Sequence, residues 1–407
     1  MYNSYLKKNK KLQKSHVFDI IQIAVGGNCA YASGKTRPHY FPRCNKTIPE
    51  ANIESLPDDV IFDILVRVPA QDIYDSARLV SPKWHKMIRT HDFARAHLQQ
   101  SIYGLLIQDR GAKYDRPIFI ETREGRIEIS NFNHKFTCAV LSSCNGLVLD
   151  HQMNNNRYLY ISNPATKRRF ALPPFITEKP PYRYAAIAYA AAAMEYKVVR
   201  TFCPYDGNRE SRGCAILTVG VDKDWARRVN IQHLSLKAKA LLERHPLATQ
   251  GFVYWAGMEY VLSLNVETEI ITQFHAPPLC HHDGETKLLY NYLPMGSHLS
   301  LLIGDYNRFS WEVWVMKPET GEWTNMTSIK LEAEKCTFEG VSALNCRLVP
   351  VGWSKLGEVL FFRVRNPTKF CIAYNVHTRE VDSFELEYYK SRRYIVHRNS
   401  LIWLDGC

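Results

Sequence analysis

The stretch LNVETEIITQF at residues 264–274 places a strand, a polar turn containing Thr268 and a returning strand side by side. The same arrangement recurs in SNPATKRRFALPP at 162–174, MKPETGEWTNM at 316–326 and YNVHTREVDSF at 374–384. The threonines Thr166, Thr268, Thr320 and Thr378 are 102, 52 and 58 residues apart, so the first gap is double. Weaker copies fill that gap at VGVDKDWARR, near Asp224, and extend the series backwards at IETREGRIE, near Glu124. Six units of about 42 to 58 residues result. This is the period of four-stranded propeller blades, which bury their faces only by stacking on one another.

Working outward, residues 101 to the end read as many short antiparallel strands: GLLIQ, PIFIE, RIEIS, NGLVLD, RYLYIS, FVYWAG, YVLSLN, WEVWVM and EVLFFRV. They are rich in Val, Ile, Leu, Tyr and Trp and are bounded by turn residues. Asn145-Gly146 predicts a tight hairpin, because both central residues of a type I′ turn need positive φ. AAIAYAAAAMEY at 185–196 has the composition of a helix but the context of two strands, and strands are the reading adopted. SLKAKALLERH at 235–245 predicts a helical excursion between blades. RYIVHRNSLIWL at 393–404 predicts two strands after the sixth unit, and GLLIQ precedes the first, so the chain ends are expected to share a blade.

Residues 54–99 have a different period. Ser55 is a candidate helix cap, with Pro57 in the first turn and Asp58 and Asp59 near the positive end of the helix dipole. Ile61, Ile64, Leu65 and Val68 form one apolar stripe, and Pro69 stops the helix. Ile73, Ala77 and Val80 mark a second helix, and Ser81-Pro82 starts a third that carries Trp84, Met87 and Ile88 on one side. Three short helices bury too little apolar surface to be comfortably stable alone, so the unit needs something to pack against.

The net charge is +12, and the first 48 residues account for +8 of it, with nine Lys or Arg against Asp19. The folded body is therefore close to neutral, which argues against a nucleic-acid surface on it. Residues 1–52 read as a largely disordered basic arm, whose Lys7, Lys8, Lys10 and Lys11 are a solvated tail or an import signal. The apolar run from Val17 to Val25 is far below the roughly 20 residues that span a bilayer, and no membrane association is expected. Eleven cysteines without a C-x-x-C pair point to a reducing compartment. Cys280, His281 and His282, with His275, lack the spacing of a structural zinc site, so neither a metal nor a cofactor is expected.

LPDDVIFDILVRVPAQDIYDSARLVSPKWHKMI at 56–88 resembles an F-box in the order and spacing of Leu56-Pro57, Ile64-Leu65, Val68-Pro69, Leu79-Val80 and Trp84. Two positions depart from the usual pattern, Tyr74 in place of Leu and Ser81-Pro82 before Trp84. CNGLVLD, ISNPATKRRFALPP and YKVVR at 196–200 resemble the kelch-like and F-box-associated domains of plant F-box proteins. The fold class expected is multidomain α+β: a three-helix F-box at 54–99, then at 101–407 an all-β propeller-like domain of about six four-stranded blades. The resemblance implies a non-catalytic, substrate-recognition subunit of an SCF-type ubiquitin ligase in the cytoplasm or nucleus. It would bind a Skp-family adaptor, and through it a cullin and a RING protein, by Leu56, Pro57, Ile61, Ile64, Leu65, Val68, Pro69, Leu79, Val80 and Trp84.

The familiar catalytic motifs are absent, but propeller enzymes assemble their sites from several loops, so a propeller enzyme or sugar-binding module carrying an F-box is the alternative. Tyr, Trp and Arg are the side chains that interfaces favour. Candidate residues for gripping a target protein are Tyr182, Arg183, Trp225, Arg227, Arg228, Tyr306, Arg308, Arg392 and Arg393, against the plainer reading of Trp225 as blade core and of the arginines as a solvated rim.

Overall fold

The computed structural model describes residues 56–109, 117–123, 126–131, 139–151, 158–175, 184–202, 212–277, 288–305, 309–331, 348–354, 357–364, 370–386 and 392–404. Two compact units result: residues 56–101 with 400–402, and residues 102–399 with 403–404.

Among its described residues the first unit has four α-helices where three were expected: α1 (Asp58–Val66), α2 (Ala70–Asp75), α3 (Pro82–Ile88) and α4 (His91–Gln100), with a 3-10 turn at Ala77–Leu79. Pro57 occupies the cap position of α1 without a side-chain cap bond, and Asp58 and Asp59 fill the first turn. Ser55 lies outside the described residues. Ser81 Oγ accepts the Trp84 N–H at 3.2 Å and fixes the start of α3. Thr90 Oγ1 does the same for the Phe93 N–H at 3.2 Å, starting the helix that the sequence reading had merged with its predecessor. Phe93 then packs edge-on against Phe62 with ring centroids 5.2 Å apart, and buried His97 donates from Nε2 to the Val68 carbonyl at 2.9 Å.

The second unit is a ring of six sheets. Blade I holds β1 (Tyr103–Asp109), β2 (Ile118–Arg123) and β3 (Arg126–Asn131); blade II holds β4 (Ala139–Cys144), β5 (Leu147–His151), β6 (Leu159–Asn163) and β7 (Arg168–Ala171). Blade III holds β8 (Ala185–Ala190), β9 (Glu195–Phe202) and β10 (Gly213–Thr218). It is followed by α5 (Leu236–Lys239), which runs into a 3-10 turn at Ala240–Glu243. Blade IV holds β11 (Leu247–Ala248), β12 (Phe252–Ala256), β13 (Tyr260–Asn265) and β14 (Ile270–His275). Blade V holds β15 (Leu289–Met295), β16 (His298–Asp305), β17 (Ser310–Met316) and β18 (Trp323–Lys330). Blade VI holds β19 (Leu348–Ser354), β20 (Val359–Val364), β21 (Phe370–Asn375) and β22 (Val381–Glu385), and β23 (Arg392–Arg398) returns to blade I.

Every pairing is antiparallel, and β4, β8, β11, β15, β19 and β23, each at the end of its sheet, pack against one another as the inner ring. The repeated turns join the two outermost strands of a blade. Their chemistry explains the repeat. Asn163, Asn265 and Asn375 each accept, through Oδ1, the backbone N–H groups two and three residues on, at 2.8–3.3 Å. The residue after each threonine, Lys167, Glu269, Gly321 or Arg379, has φ between 58° and 71°. The side-chain amide thus supplies the acceptor for the turn, and one left-handed residue redirects the chain. At Gly321 a Cβ would stand 2.1 Å from the Phe274 ring, so glycine answers both the φ and the crowding.

Blade III is the exception to four strands. Its fourth position is the segment after VGVDKDW, which pairs with β10 through the isolated antiparallel bridge of Ala215 with Arg228 and not as a full strand. The alanine-rich segment forms β8 and β9, and Ala186, Ala188 and Ala190 are fully buried in a cluster with Val253, Trp255 and Leu262. Small side chains here leave room for the large ones of blade IV, which overrides alanine's preference for helix. Asn145 and Gly146 both have positive φ, 50° and 88°, in the two-residue turn from β4 to β5.

The chain closes on itself through β23, whose residues Arg392–Arg398 pair with Asp109–Tyr103 of β1 in seven consecutive positions. Only one strand forms in the segment that the sequence suggested would give two. Truncating the chain after Leu386 removes β23 and leaves β1 with an open edge. The expected outcome is a propeller that elutes as soluble aggregate in size-exclusion chromatography and loses its cooperative melt.

Candidate binding surfaces

In the helical unit, the ten residues assigned to adaptor contact divide into two groups. Ile61, Leu65, Val68 and Trp84 are buried, each at 2% exposure or less, and belong to the module's own core. Side chains closed off from solvent in this way shape the module from within. Pro57 and Leu79 are exposed, and Leu56, Ile64, Pro69 and Val80 are half-buried. Val60, not singled out in the sequence, is 38% exposed, and Leu79 is 47% exposed. Val60 and Ile64 are four residues apart on α1, one residue out of phase with the buried pair Ile61 and Leu65, so α1 carries a buried stripe and a second apolar stripe beside it.

In the propeller, a depression opens on the rim where inner strands turn into their partners. It has about 450 Å³ of space, including the part open to solvent. It is built from the turn at Ser143–Asn145 in blade II, Ala248–Gln250 in blade IV, Pro294 and Gly296 in blade V, and Tyr103 with Val396–Arg398 in blade I. None of these is adjacent in sequence to all the others; ring closure brings them together. The Arg398 guanidinium lies 4.8 Å from the centre of the Tyr103 ring, and the Tyr103 hydroxyl accepts from Gln250 Nε2 at 2.8 Å. Burial pushes the Tyr103 phenol up from its ordinary pKa, with Arg398 opposing, and burial pushes the Cys144 thiol to about 12, so both stay protonated at neutral pH.

Beneath this mouth, His397 is buried, with its ring edge-on to Phe119. Nε2 lies 3.2 Å from Asn399 Oδ1, an acceptor, so Nε2 carries the proton and Nδ1 accepts from Ser143 Oγ at 2.7 Å. The Leu147 carbonyl, 3.1 Å from the same hydroxyl, competes for its single proton. A serine, a histidine and an amide in sequence have the outline of a nucleophile, a base and its orienting group. Burial, however, lowers the His397 pKa to about 4, partly opposed by Asn399, which leaves little basicity to activate the serine. The arrangement reads as a polar clip between the closing strand and blade II, reinforced by Arg393 Nη1 donating to the Val140 carbonyl at 2.7 Å.

The residues predicted to grip a target are not brought together. Tyr182, Arg183, Tyr306 and Arg308 lie outside the described residues. Arg392 and Arg393 begin β23, at the rim opposite the mouth. Trp225 is buried edge-on to Phe175 and donates from Nε1 to the Pro173 carbonyl at 2.8 Å, so it is blade core. Arg227 donates to Asp222, Thr218 and Glu269 at 2.6–3.1 Å, and buried Lys197 joins Glu269 at 2.8 Å, a network that ties blade III to blade IV. Arg228 donates to the Trp225 carbonyl and stacks over Phe202, its guanidinium 4.9 Å from the ring centre. These three hold the irregular blade. The mouth residues escaped the sequence reading because Ser, Asn, Gln and Tyr in turns carry no local signature, although Asn145-Gly146 marked one of its edges.

Among the described residues no group of three or more His, Cys, Asp and Glu could hold a metal, and no helix is long and apolar enough to cross a membrane. Cys280, His281 and His282 lie outside the described residues.

Comparison with known proteins decides what the two units are. Residues 53–95 match the F-box domain, and residues 119–404 match the F-box associated beta propeller domain. The chain belongs to the F-box-associated β-propeller family. The propeller is therefore described as F-box-associated rather than kelch-like. Curated relatives from Arabidopsis thaliana include F-box protein CPR1, 24% identical over 220 residues, covering 50% of this chain and 52% of that one. F-box protein At5g65850 is 23% identical over 362 residues, covering 81% and 87%. The chain thus spans about half the length of the first relative and most of the second. Among solved structures, TolB from Acinetobacter baumannii aligns with a TM-score of 0.42 at 10% identity over 78% of this chain and 73% of that one. An oligogalacturonate lyase in complex with manganese aligns at 0.38 and 11% over 69% and 77%.

The buried clip gives this F-box-associated propeller a pH signature. An unfolded histidine takes up a proton below about pH 6.5, whereas His397 in the folded ring takes it up only near pH 4. The full contribution to stability is present above pH 6.5 and is lost progressively as the pH falls towards 4, on the order of 3 kcal/mol in total. Denaturant midpoints at pH 7 and pH 5 should fall further for the parent than for H397Q. Equal falls would assign the acid sensitivity to other groups.

Proposed function

We propose that this chain is the substrate-recognition subunit of an SCF-type ubiquitin ligase. The helical unit docks on a Skp-family adaptor, and through it on a cullin and a RING protein. The propeller holds a target protein. The observation that carries this reading is the apolar surface left open on an F-box by Val60 and Leu79, with Leu56, Ile64 and Val80 half-buried, in the same chain as an F-box-associated propeller. A module this small with exposed apolar residues gains by covering them with a partner.

On this reading the chain makes and breaks no bond. It shares a complex with the ubiquitin-charged enzyme, which raises the local concentration of the target's lysines, and the catalytic groups belong to other subunits. The complex would act in the cytoplasm or nucleus, with no membrane and no nucleic acid required. The ten-residue docking set is refined accordingly: Leu56, Pro57, Val60, Ile64, Pro69, Leu79 and Val80 are the contacts, and Ile61, Leu65, Val68 and Trp84 shape them from within.

Replacing Leu79 by Asp in the full chain should weaken capture of a purified Skp-family adaptor by about tenfold or more, because one buried apolar anchor at an interface commonly contributes ~2 kcal/mol or more. Circular dichroism of the variant should be unchanged. Leu65→Ala acts differently, lowering the melting temperature of the helical unit through a core cavity that costs about 2–5 kcal/mol. Undiminished capture by the Leu79→Asp variant overturns the assignment of this face.

A further inference from the structure

We propose that the mouth of the propeller is a receptor for a carboxylate carried by a partner protein, a reading that rests on the propeller's being the protein-binding part of the chain. Among the twelve described residues that line it, Arg398 is the charged one, no Asp or Glu is present, and the remaining polar groups are hydroxyls, amides, the Cys144 thiol and the His397 imidazole. Among the described residues a guest bearing an anion therefore meets a guanidinium and neutral groups with no like charge to repel it, and a cationic guest meets no counter-charge.

The placement of Arg398 favours this chemistry. It closes β23, pairs across the sheet with Tyr103, and lies over that ring, so its guanidinium is held at the wall of the depression instead of ranging freely. Gln250, from the turn of blade IV on the other side, fixes the Tyr103 hydroxyl at 2.8 Å. The three side chains make one braced wall, and a braced guanidinium loses less freedom on pairing with a carboxylate than a mobile one. The surroundings are of low polarity, as the raised Tyr103 phenol reports, and an ion pair there is screened less than on open surface.

The carboxylate has two possible sources, the chain end of the partner or an Asp or Glu within it. Three decapeptide mixtures of otherwise neutral composition, each labelled with an uncharged BODIPY dye, separate them: one with a free C-terminal carboxylate, one amidated, and one amidated with an internal Glu pair. Binding to the purified full chain is read by fluorescence polarisation. At least one carboxylate mixture should bind about tenfold or more tightly than the amidated neutral one, and which of the two does so names the source. R398Q should erase the difference and R398K should keep most of it. Q250E, which places a like charge in the same wall, should abolish it while leaving the melting temperature near that of the parent. If R398Q fails to fold, Q250E decides. Equal binding of all three mixtures, binding of none, or a preference that survives both R398Q and Q250E overturns the proposal. Loss of adaptor capture with the peptide preference intact would instead overturn the ligase reading alone.

Discussion

The pairing of β23 with β1 is the contact on which the rest of the propeller depends. A blade stacks on its neighbours through both faces, and a ring with a gap would leave two sheets half-covered. Seven consecutive pairs close that gap, the register is held by Arg393 on the Val140 carbonyl, and the His397–Ser143 contact clips the new strand to blade II. The mouth exists only after this happens, because Val396, His397 and Arg398 come from the closing strand and Asn145, Gln250 and Gly296 from three other blades. Stability and binding surface therefore share one cause.

Where the regular pattern lapses, polar chemistry takes its place. Blade III lacks an extended outer strand, and the segment that replaces it is held by Arg227, Asp222 and Thr218 on one side and by Glu269 and Lys197 on the other. A half-buried network of this kind is worth more than isolated surface pairs, since each carboxylate accepts from more than one donor and Arg227 joins the two. Trp225, in the same segment, is buried edge-on against Phe175.

Much of this was legible in the sequence, because the turns are made by short-range chemistry. A strand, a polar turn containing a threonine and a returning strand recur at Thr166, Thr268, Thr320 and Thr378, which is how the blades showed in the sequence. At three of these turns an asparagine Oδ1 accepts the turn's N–H groups. The apolar stripe of the F-box was equally visible, but a 3.6-residue period says only that a face is buried, and Ile61 and Leu65 turn inward while Val60 and Leu79 face out. Trp225 and Arg227 looked like binding residues because the same side chains serve interfaces and irregular cores. Arg398 and Gln250 could not be linked at all, since the contact between their blades is made by the ring and not by the sequence around either residue.

The seven pairs of the closing strand join residues 283 to 295 positions apart. A ribosome must therefore release nearly the whole propeller before its first blade can be completed, and until then β1 waits with an unpaired edge among five other blades in various stages of assembly. Contacts this distant in sequence are slow to form and expose the chain to misassembly while they do. The time for which the ring stays open, as well as the stability of its blades, therefore bears on how much of the chain reaches the folded state.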